Sequence, residues 1–170
     1  SIVMAPDVRD RATHKTPGRQ PPVDFYGACV FPYQEVPGVT IMLSQAHWHW
    51  KKRSSGKGLG PANFDVQLAV SRDGRKFQRM GDRRPFMANG RDGAFDSRYV
   101  WAMPNPVRMG DELWIYYAGN NRDHDGQIDP ASPGGRQQSG IARAVLRLDG
   151  FVSADAGLDG GVLTTPAVTF

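Results

Sequence analysis

The sequence predicts an all-β fold, and three observations lead to that prediction. The 170 residues include 20 Gly and 13 Pro, which destabilise helix interiors and are frequent in turns. Hydrophobic residues make up 39% of the chain, so its composition is that of a folded protein rather than a disordered one. Short apolar or alternating segments recur between turn signals, as expected for antiparallel strands. The length suits one ordinary domain.

A first four-stranded unit is predicted at residues 24–80, after a polar, Pro-rich tail or connection at residues 1–23 that contains a candidate outer strand. Val36-Pro37-Gly38 predicts a tight hairpin between its first two strands, and Arg72-Asp73-Gly74 predicts the turn after the third. The unit is therefore an antiparallel meander, with strands expected at residues 28–33, 39–46, 64–71 and 76–80.

A second unit of the same kind is predicted at residues 95–157, after a linker at 81–94, and residues 158–170 would begin a further strand. Its strands are expected at residues 96–107, 112–119, 140–148 and 151–153. The two units superpose at a constant offset of 72, which matches Asp24 with Asp96, Pro32 with Pro104, Gly38 with Gly110, and Ala46 with Ala118. Residues 68–70 then match residues 143–145, so the chain contains an internal repeat.

A four-stranded meander repeated in tandem is typical of β-propeller blades. A blade buries its faces only against neighbours, and a closed ring takes at least about four blades. Two blades leave three alternatives: a partial propeller within a longer chain, a propeller completed by oligomerisation, or two sheets packed as a sandwich.

The charge pattern does not favour a nucleic-acid or membrane partner. The net charge is +4, but the basic residues concentrate in one Gly/Ser-containing stretch at residues 51–57 and elsewhere alternate with acids. Such a stretch is typical of a solvated loop rather than a phosphate-binding groove. The sequence also lacks a run of about 18 apolar residues. We therefore expect neither partner.

Several motifs resemble blades of the five-bladed β-propeller glycosidase superfamily, to which invertase-like and arabinanase-like families belong. The resemblance rests on residues 64–74 (FDVQLAVSRDG), 81–86 (GDRRPF), 93–97 (GAFDS), 110–119 (GDELWIYYAG) and 146–153 (LRLDGFVS). It spans nearly all of residues 24–170, and uncharacterised bacterial members are the most similar. The resemblance implies a propeller fold, a carbohydrate ligand and, if the protein is active, glycoside hydrolysis.

The resemblance also implies a candidate catalytic pair. In that superfamily, acids on successive blades act as base or nucleophile and as general acid. Asp24 and Asp96 match the starts of innermost strands and are the candidates; alternatively, each caps a strand entrance or binds a neighbouring backbone amide. The family's general acid is typically a glutamate, but Glu35 and Glu112 fall in hairpins remote from the funnel. Activity is therefore expected to be lost or to depend on assembly.

Candidate ligand-binding residues surround the same funnel. Alternation places His47 and His49 on one strand face, where two imidazoles could hold a metal ion or titrate near neutral pH. No Cys or carboxylate stands at ligand spacing beside them, so we expect no metal. Arg98 would bind hydroxyls or a carboxylate, or instead pair with Asp96 or Asp24. The remaining candidates are Tyr26, Tyr99, Asn121 and His124.

The sequence thus predicts a carbohydrate-handling protein with no cofactor. The alternative is a non-catalytic binding or assembly module that forms an oligomeric propeller. The first hypothesis implies a saccharide ligand, whereas the function of the alternative module is left open. In both cases we expect either a homo-oligomer or part of a longer chain.

Overall fold

The computed structural model describes residues 1–13, 23–52, 59–153 and 158–162, and this part of the chain confirms the all-β prediction. Its one α-helix, α1, spans Val8–Thr13, and no helix in the described residues is long and apolar enough to cross a bilayer. The strands are β1 (Val23–Pro32), β2 (Thr40–Lys52), β3 (Leu59–Ser71), β4 (Gln78–Arg79), β5 (Tyr99–Ala102), β6 (Val107–Met109), β7 (Glu112–Asn120) and β8 (Ser139–Arg147).

The described strands belong to one eight-stranded sheet with the order β1-β2-β3-β5-β7-β6, in which β4 pairs with β3 and β8 pairs with β7. The pairing is antiparallel except between β3 and β5, which meet in parallel at the single pair of Phe64 and Tyr99. The sheet is thus two antiparallel halves, β1 to β4 and β5 to β8, joined at one point. The division into units at residues 24–80 and 95–157, and their assignment to propeller blades, stay predictions.

Two predicted strands differ from the structure. The strand expected at residues 96–107 is divided into β5 and β6, because Pro104 and Pro106 lack an N–H group and Asn105 adopts a positive φ of 60°. Residues 151–153 do not form a strand. The Phe151 ring instead turns inward and lies 5.3 Å from the ring of Tyr33.

The strand pairing also corrects the internal repeat by one residue. Leu43 pairs with Leu68, whereas Ile115, its counterpart at an offset of 72, pairs with Ala144. The third strands therefore match at an offset of 76 and not at the 75 expected from their sequences. This matters because a shift of one residue moves every side chain of a strand to the opposite face.

The two halves share one hydrophobic core. The first half contributes a row of alternating residues from β1, β2 and β3, and the second contributes Val100, Ala102, Leu113 and Ile115. The carbonyl oxygen of Ala102 accepts hydrogen bonds from Gln45 Nε2 at 3.1 Å and from the buried Cys29 Sγ at 2.9 Å. Arg108 in β6 forms an ion pair with Glu35, which connects the hairpin between β6 and β7 to the hairpin between β1 and β2.

The opposite face of the first half is covered by the N-terminal segment. Asp7 and Asp10 begin α1 with a reciprocal cap: Arg9 N–H donates to the Asp7 carboxylate at 2.9 Å, and Asp7 N–H donates to that of Asp10 at 2.8 Å. Arg79 then donates to both oxygens of the fully buried Asp10, at 2.6 and 2.8 Å. This six-residue helix is too short for a sequence pattern to predict.

The ion pair continues into a buried polar chain beneath the segment. Arg79 donates to Gln67 at 3.2 Å, and Gln67 donates in turn to Asp65 at 2.9 Å. The indole N–H of Trp48 donates to the other oxygen of Asp65 at 2.7 Å. Trp48 is buried and packs with Val23 and Ala46.

Candidate functional site

Six aromatic and imidazole rings meet where the two halves of the sheet join, and we call them the ring cluster. The first half supplies three from β1, β2 and β3, the second supplies two from β5, and the loop after β7 supplies the last. The members are Tyr26, His47, Phe64, Tyr99, Trp101 and His124. Four of them were predicted to bind a ligand, and Phe64 and Trp101 were not.

The base of the cluster is set by the register of β2 and β3. His47 and Phe64 lie directly opposite each other, so their side chains share a face. Their rings stack with centroids 4.6 Å apart and an angle of 9°. His47 is only 3% exposed and Phe64 is fully buried. Asp24 also lies opposite His47, in β1, and is half-buried.

Tyr26 reaches the cluster because of an irregularity in β1. The pairing between β1 and β2 shifts between Phe25 and Gly27, which leaves Tyr26 as an extra, bulged residue. Its ring is 50% exposed and packs edge-on against His47 at 4.8 Å and His124 at 5.3 Å. Tyr26 therefore forms an outer edge over a buried base.

The β5 side of the cluster consists of two stacked rings. Tyr99 and Trp101 lie on the same face, with centroids 5.7 Å apart and an angle of 9°. Tyr99 contacts Phe64 at 4.6 Å, and burial raises the pKa of its hydroxyl. A Cβ at Gly27 would stand 2.8 Å from Trp101 Cζ2, so the indole occupies space that only glycine leaves open.

His124 is presented by a tight turn in the loop after β7. Asp123 closes this turn by accepting the Gln127 N–H at 2.7 Å, and Gly126 adopts a positive φ of 90°. His124 is exposed, and its ring centroid lies 4.7 Å from that of His47. The structure thus brings His47 together with His124, whereas the sequence predicted His47 with His49; the side chain of His49 lies outside the described residues.

Asn121 holds the same loop together. It is fully buried, its amide donates to Ser132 Oγ at 2.8 Å and to the Arg136 carbonyl at 2.9 Å, and its oxygen accepts the Gln138 N–H at 2.7 Å. These bonds position the loop that carries His124. A direct contact between Asn121 and a ligand stays a prediction.

Arg98 forms ion pairs, but with partners other than those expected. Its guanidinium contacts Asp129 at 2.8 Å and Asp92 at 3.0 Å, and not Asp96 or Asp24 as the alternative proposed. Burial opposes ionisation of Asp129, but hydrogen bonds from Gly93, Ser97 and Ala131 and the charge of Arg98 outweigh it and lower its pKa. Asp129 thereby ties the loop before β5 to the loop carrying His124.

Asp96 is enclosed in a separate niche. Its carboxylate accepts the Tyr117 hydroxyl at 2.9 Å, and burial together with this bond raises the pKa of Tyr117 to about 12. A Cβ on Gly119 would stand 2.7 Å from Asp96 Cβ, so Asp96 lies on the core face of β7, opposite to the face that carries Tyr99. Asp24 is the member of the candidate catalytic pair that lies opposite His47 in the sheet. Catalysis by the pair stays a prediction.

The two glutamates lie in hairpins, as the sequence predicted. Glu35 is in the turn after β1, half-buried by its ion pair with Arg108. Glu112 begins β7 and accepts the Trp114 indole N–H at 2.8 Å. The described residues also contain no group of three or more His, Cys, Asp or Glu side chains that could hold a metal ion.

No protein-family model matches the chain, and no curated protein matches it. Among solved structures, the chain is similar to a glycosyl hydrolase from Bacteroides ovatus, with a TM-score of 0.45 and 16% identity. The similarity covers 75% of this chain and 29% of that one, so this chain spans less than a third of that protein.

Proposed function

We propose that the protein binds carbohydrate at the ring cluster. The observation that carries the proposal is the exposed Tyr26 and His124 over a buried base of His47 and Phe64. Such a surface packs against the C–H face of a sugar ring, while imidazole, phenol and carboxylate groups meet its hydroxyls. In this proposal, Asp24, which lies opposite His47, accepts hydrogen bonds from those hydroxyls.

In this proposal, the protein has the blades of a glycosidase-like propeller, and its hydrolytic activity is lost or depends on assembly. The support is the glutamates, both of which lie in hairpins and make their own contacts there. Glycoside hydrolysis ordinarily takes two carboxyl groups on opposite sides of the scissile bond. Asp24 lies opposite His47 in the sheet, whereas Asp96 is held by Tyr117 on the core face.

The test is saccharide binding by the Tyr26→Ala variant. Calorimetry with arabino-, xylo- and fructo-oligosaccharides should show binding to the wild-type protein and at least a tenfold loss of affinity in the variant. Val30→Ala is the matched control, because Val30 lies on the same strand and is also 50% exposed but is not a member of the ring cluster. Absence of binding by the wild-type protein, or equal affinities in all three proteins, would overturn the proposal.

A second proposal, self-assembly, rests on an open face of the sheet. On the side of β6, β7 and β8 that faces away from the core, large apolar residues are exposed: Val107, Met109, Tyr116, Ile141 and Val145. Apolar patches of this kind mark interaction sites, and a blade needs a neighbour on each face. We propose a second copy of this chain as the occupant.

Light scattering tests this assembly. The protein is measured at about 100 µM, because an interface of modest area is weak and would dissociate at lower concentrations. A dimer or larger ring is expected for the wild-type protein, and Val107→Glu should dissociate it. Val30→Glu is the control, since Val30 is similarly exposed but lies on β1. A monomeric wild-type protein at that concentration would refute self-assembly.

A further inference from the structure

A groove of about 400 Å³ lies beside the ring cluster, on the open face of the sheet. Its lining includes Tyr99, Asn120, Ser139 and Ile141, and none of its lining residues is charged. The volume is within the range of small-molecule sites. Tyr99 belongs both to the groove and, through its contact with Phe64, to the ring cluster.

The register of three strands explains how the groove forms. Tyr99 lies opposite Asn120, and Asn120 lies opposite Ser139, so a ring, an amide and a hydroxyl stand in one row across the sheet. Between this row and the next, β7 and β8 carry Gly119 and Gly140, whose side-chain positions point to the core face, so the floor of the groove there is backbone. A polar row therefore borders a floor without side chains.

The far wall of the groove is apolar. Ile141 lies opposite Ala118 on the same sheet face and is 65% exposed. The groove thus has an aromatic ring at one end, polar groups along one side and an aliphatic side chain on the other. This division matches a sugar ring, which presents C–H groups on its faces and hydroxyls at its edge.

We propose that this groove is a second saccharide subsite, so that the ligand is a neutral oligosaccharide occupying the ring cluster and the groove together. The inference rests on the proposed carbohydrate binding and deepens it. Tyr99 contacts both sugar units, Asn120 and Ser139 bind hydroxyls of the outer unit, and Ile141 packs against its face. The uncharged lining favours neutral sugars over uronic acids.

The test uses calorimetry to compare the binding affinities of oligosaccharides of increasing length. One series runs from arabinose to arabinotetraose, and the other is the corresponding xylo series. Wild-type affinity should rise at least tenfold from the monosaccharide to the di- or trisaccharide. Ile141→Arg should abolish this gain and leave monosaccharide affinity unchanged. Val30→Arg is the control, because Val30 is also exposed but lies on β1 outside the groove and should keep the gain.

The outcomes separate the two proposals. Affinity that is independent of chain length, or equal gains in wild-type and Ile141→Arg proteins, overturns the subsite while leaving binding at the ring cluster intact. A wild-type protein that binds no saccharide overturns the proposed function itself. The measurements are made at concentrations where light scattering shows a monomer, since a second copy over the whole open face would close the groove.

Discussion

The contribution of the buried carboxyl group of Asp65 to the stability of this fold should fall as the pH rises from 4 to 7. Asp65 is 6% exposed beneath the N-terminal segment. Burial raises its pKa from 3.8 to about 6, despite opposing hydrogen bonds from Gln67 and Trp48 and the charge of Arg79. Its charged form is therefore costly in the native protein.

The sign of the effect follows from proton binding. Between pH 3.8 and about 6, the folded protein holds a proton at Asp65 that the unfolded chain has lost. The stabilisation from this group is complete below the unfolded pKa and is lost as the pH rises through the folded one. A shift of about two units corresponds to about 3 kcal/mol in the free energy of unfolding.

Urea unfolding of the wild-type protein and of Asp65→Asn, at intervals from pH 4 to pH 7, measures this contribution. The other titrating groups are common to both proteins, so the difference between the two unfolding free energies isolates Asp65. The wild-type advantage should shrink by about 2 kcal/mol across this range. A difference that stays constant, or that grows with pH, would refute the reasoning.

Three further changes have definite expected outcomes. Gly27→Ala should cost about 1–3 kcal/mol in urea unfolding, because the new methyl group would stand 2.8 Å from Trp101; an unchanged midpoint would contradict that contact. Asp10→Ala should lower the free energy of unfolding by about 3–5 kcal/mol, since it leaves the buried Arg79 charge unpaired. Calorimetry measures this loss, and a smaller loss would contradict the prediction. Burial raises the pKa of Cys29, so Ellman's reagent at pH 8 should label it only after denaturation.

Local signals in the sequence predicted the turns correctly. Gly38 and Gly110 close the two hairpins with positive φ values of 75° and 60°, which glycine adopts without strain. These features depend on neighbouring residues alone, so a single sequence is enough to predict them.

Features that depend on distant residues were not predictable in this way. Phe64 enters the ring cluster through its pairing with both His47 and Tyr99, which requires the register of three strands. Arg98 finds Asp129, 31 residues away, only because a Gly- and Pro-rich loop folds back against the start of β5. A search for partners of His47 in the register of β2 and β3 would have identified Phe64.

The single meeting point of β3 and β5 has a consequence for how the protein responds to an occupant. Phe64 N–H donates to the Arg98 carbonyl at 3.0 Å, and Arg98 N–H donates to the Asn120 carbonyl at 3.1 Å, so one peptide seam joins the two halves there. The rings of Tyr26 and Tyr99 stand on opposite sides of this seam. A molecule that contacts both rings bridges the two halves of the sheet. Because it binds only the folded protein, it raises the temperature at which the two halves unfold together.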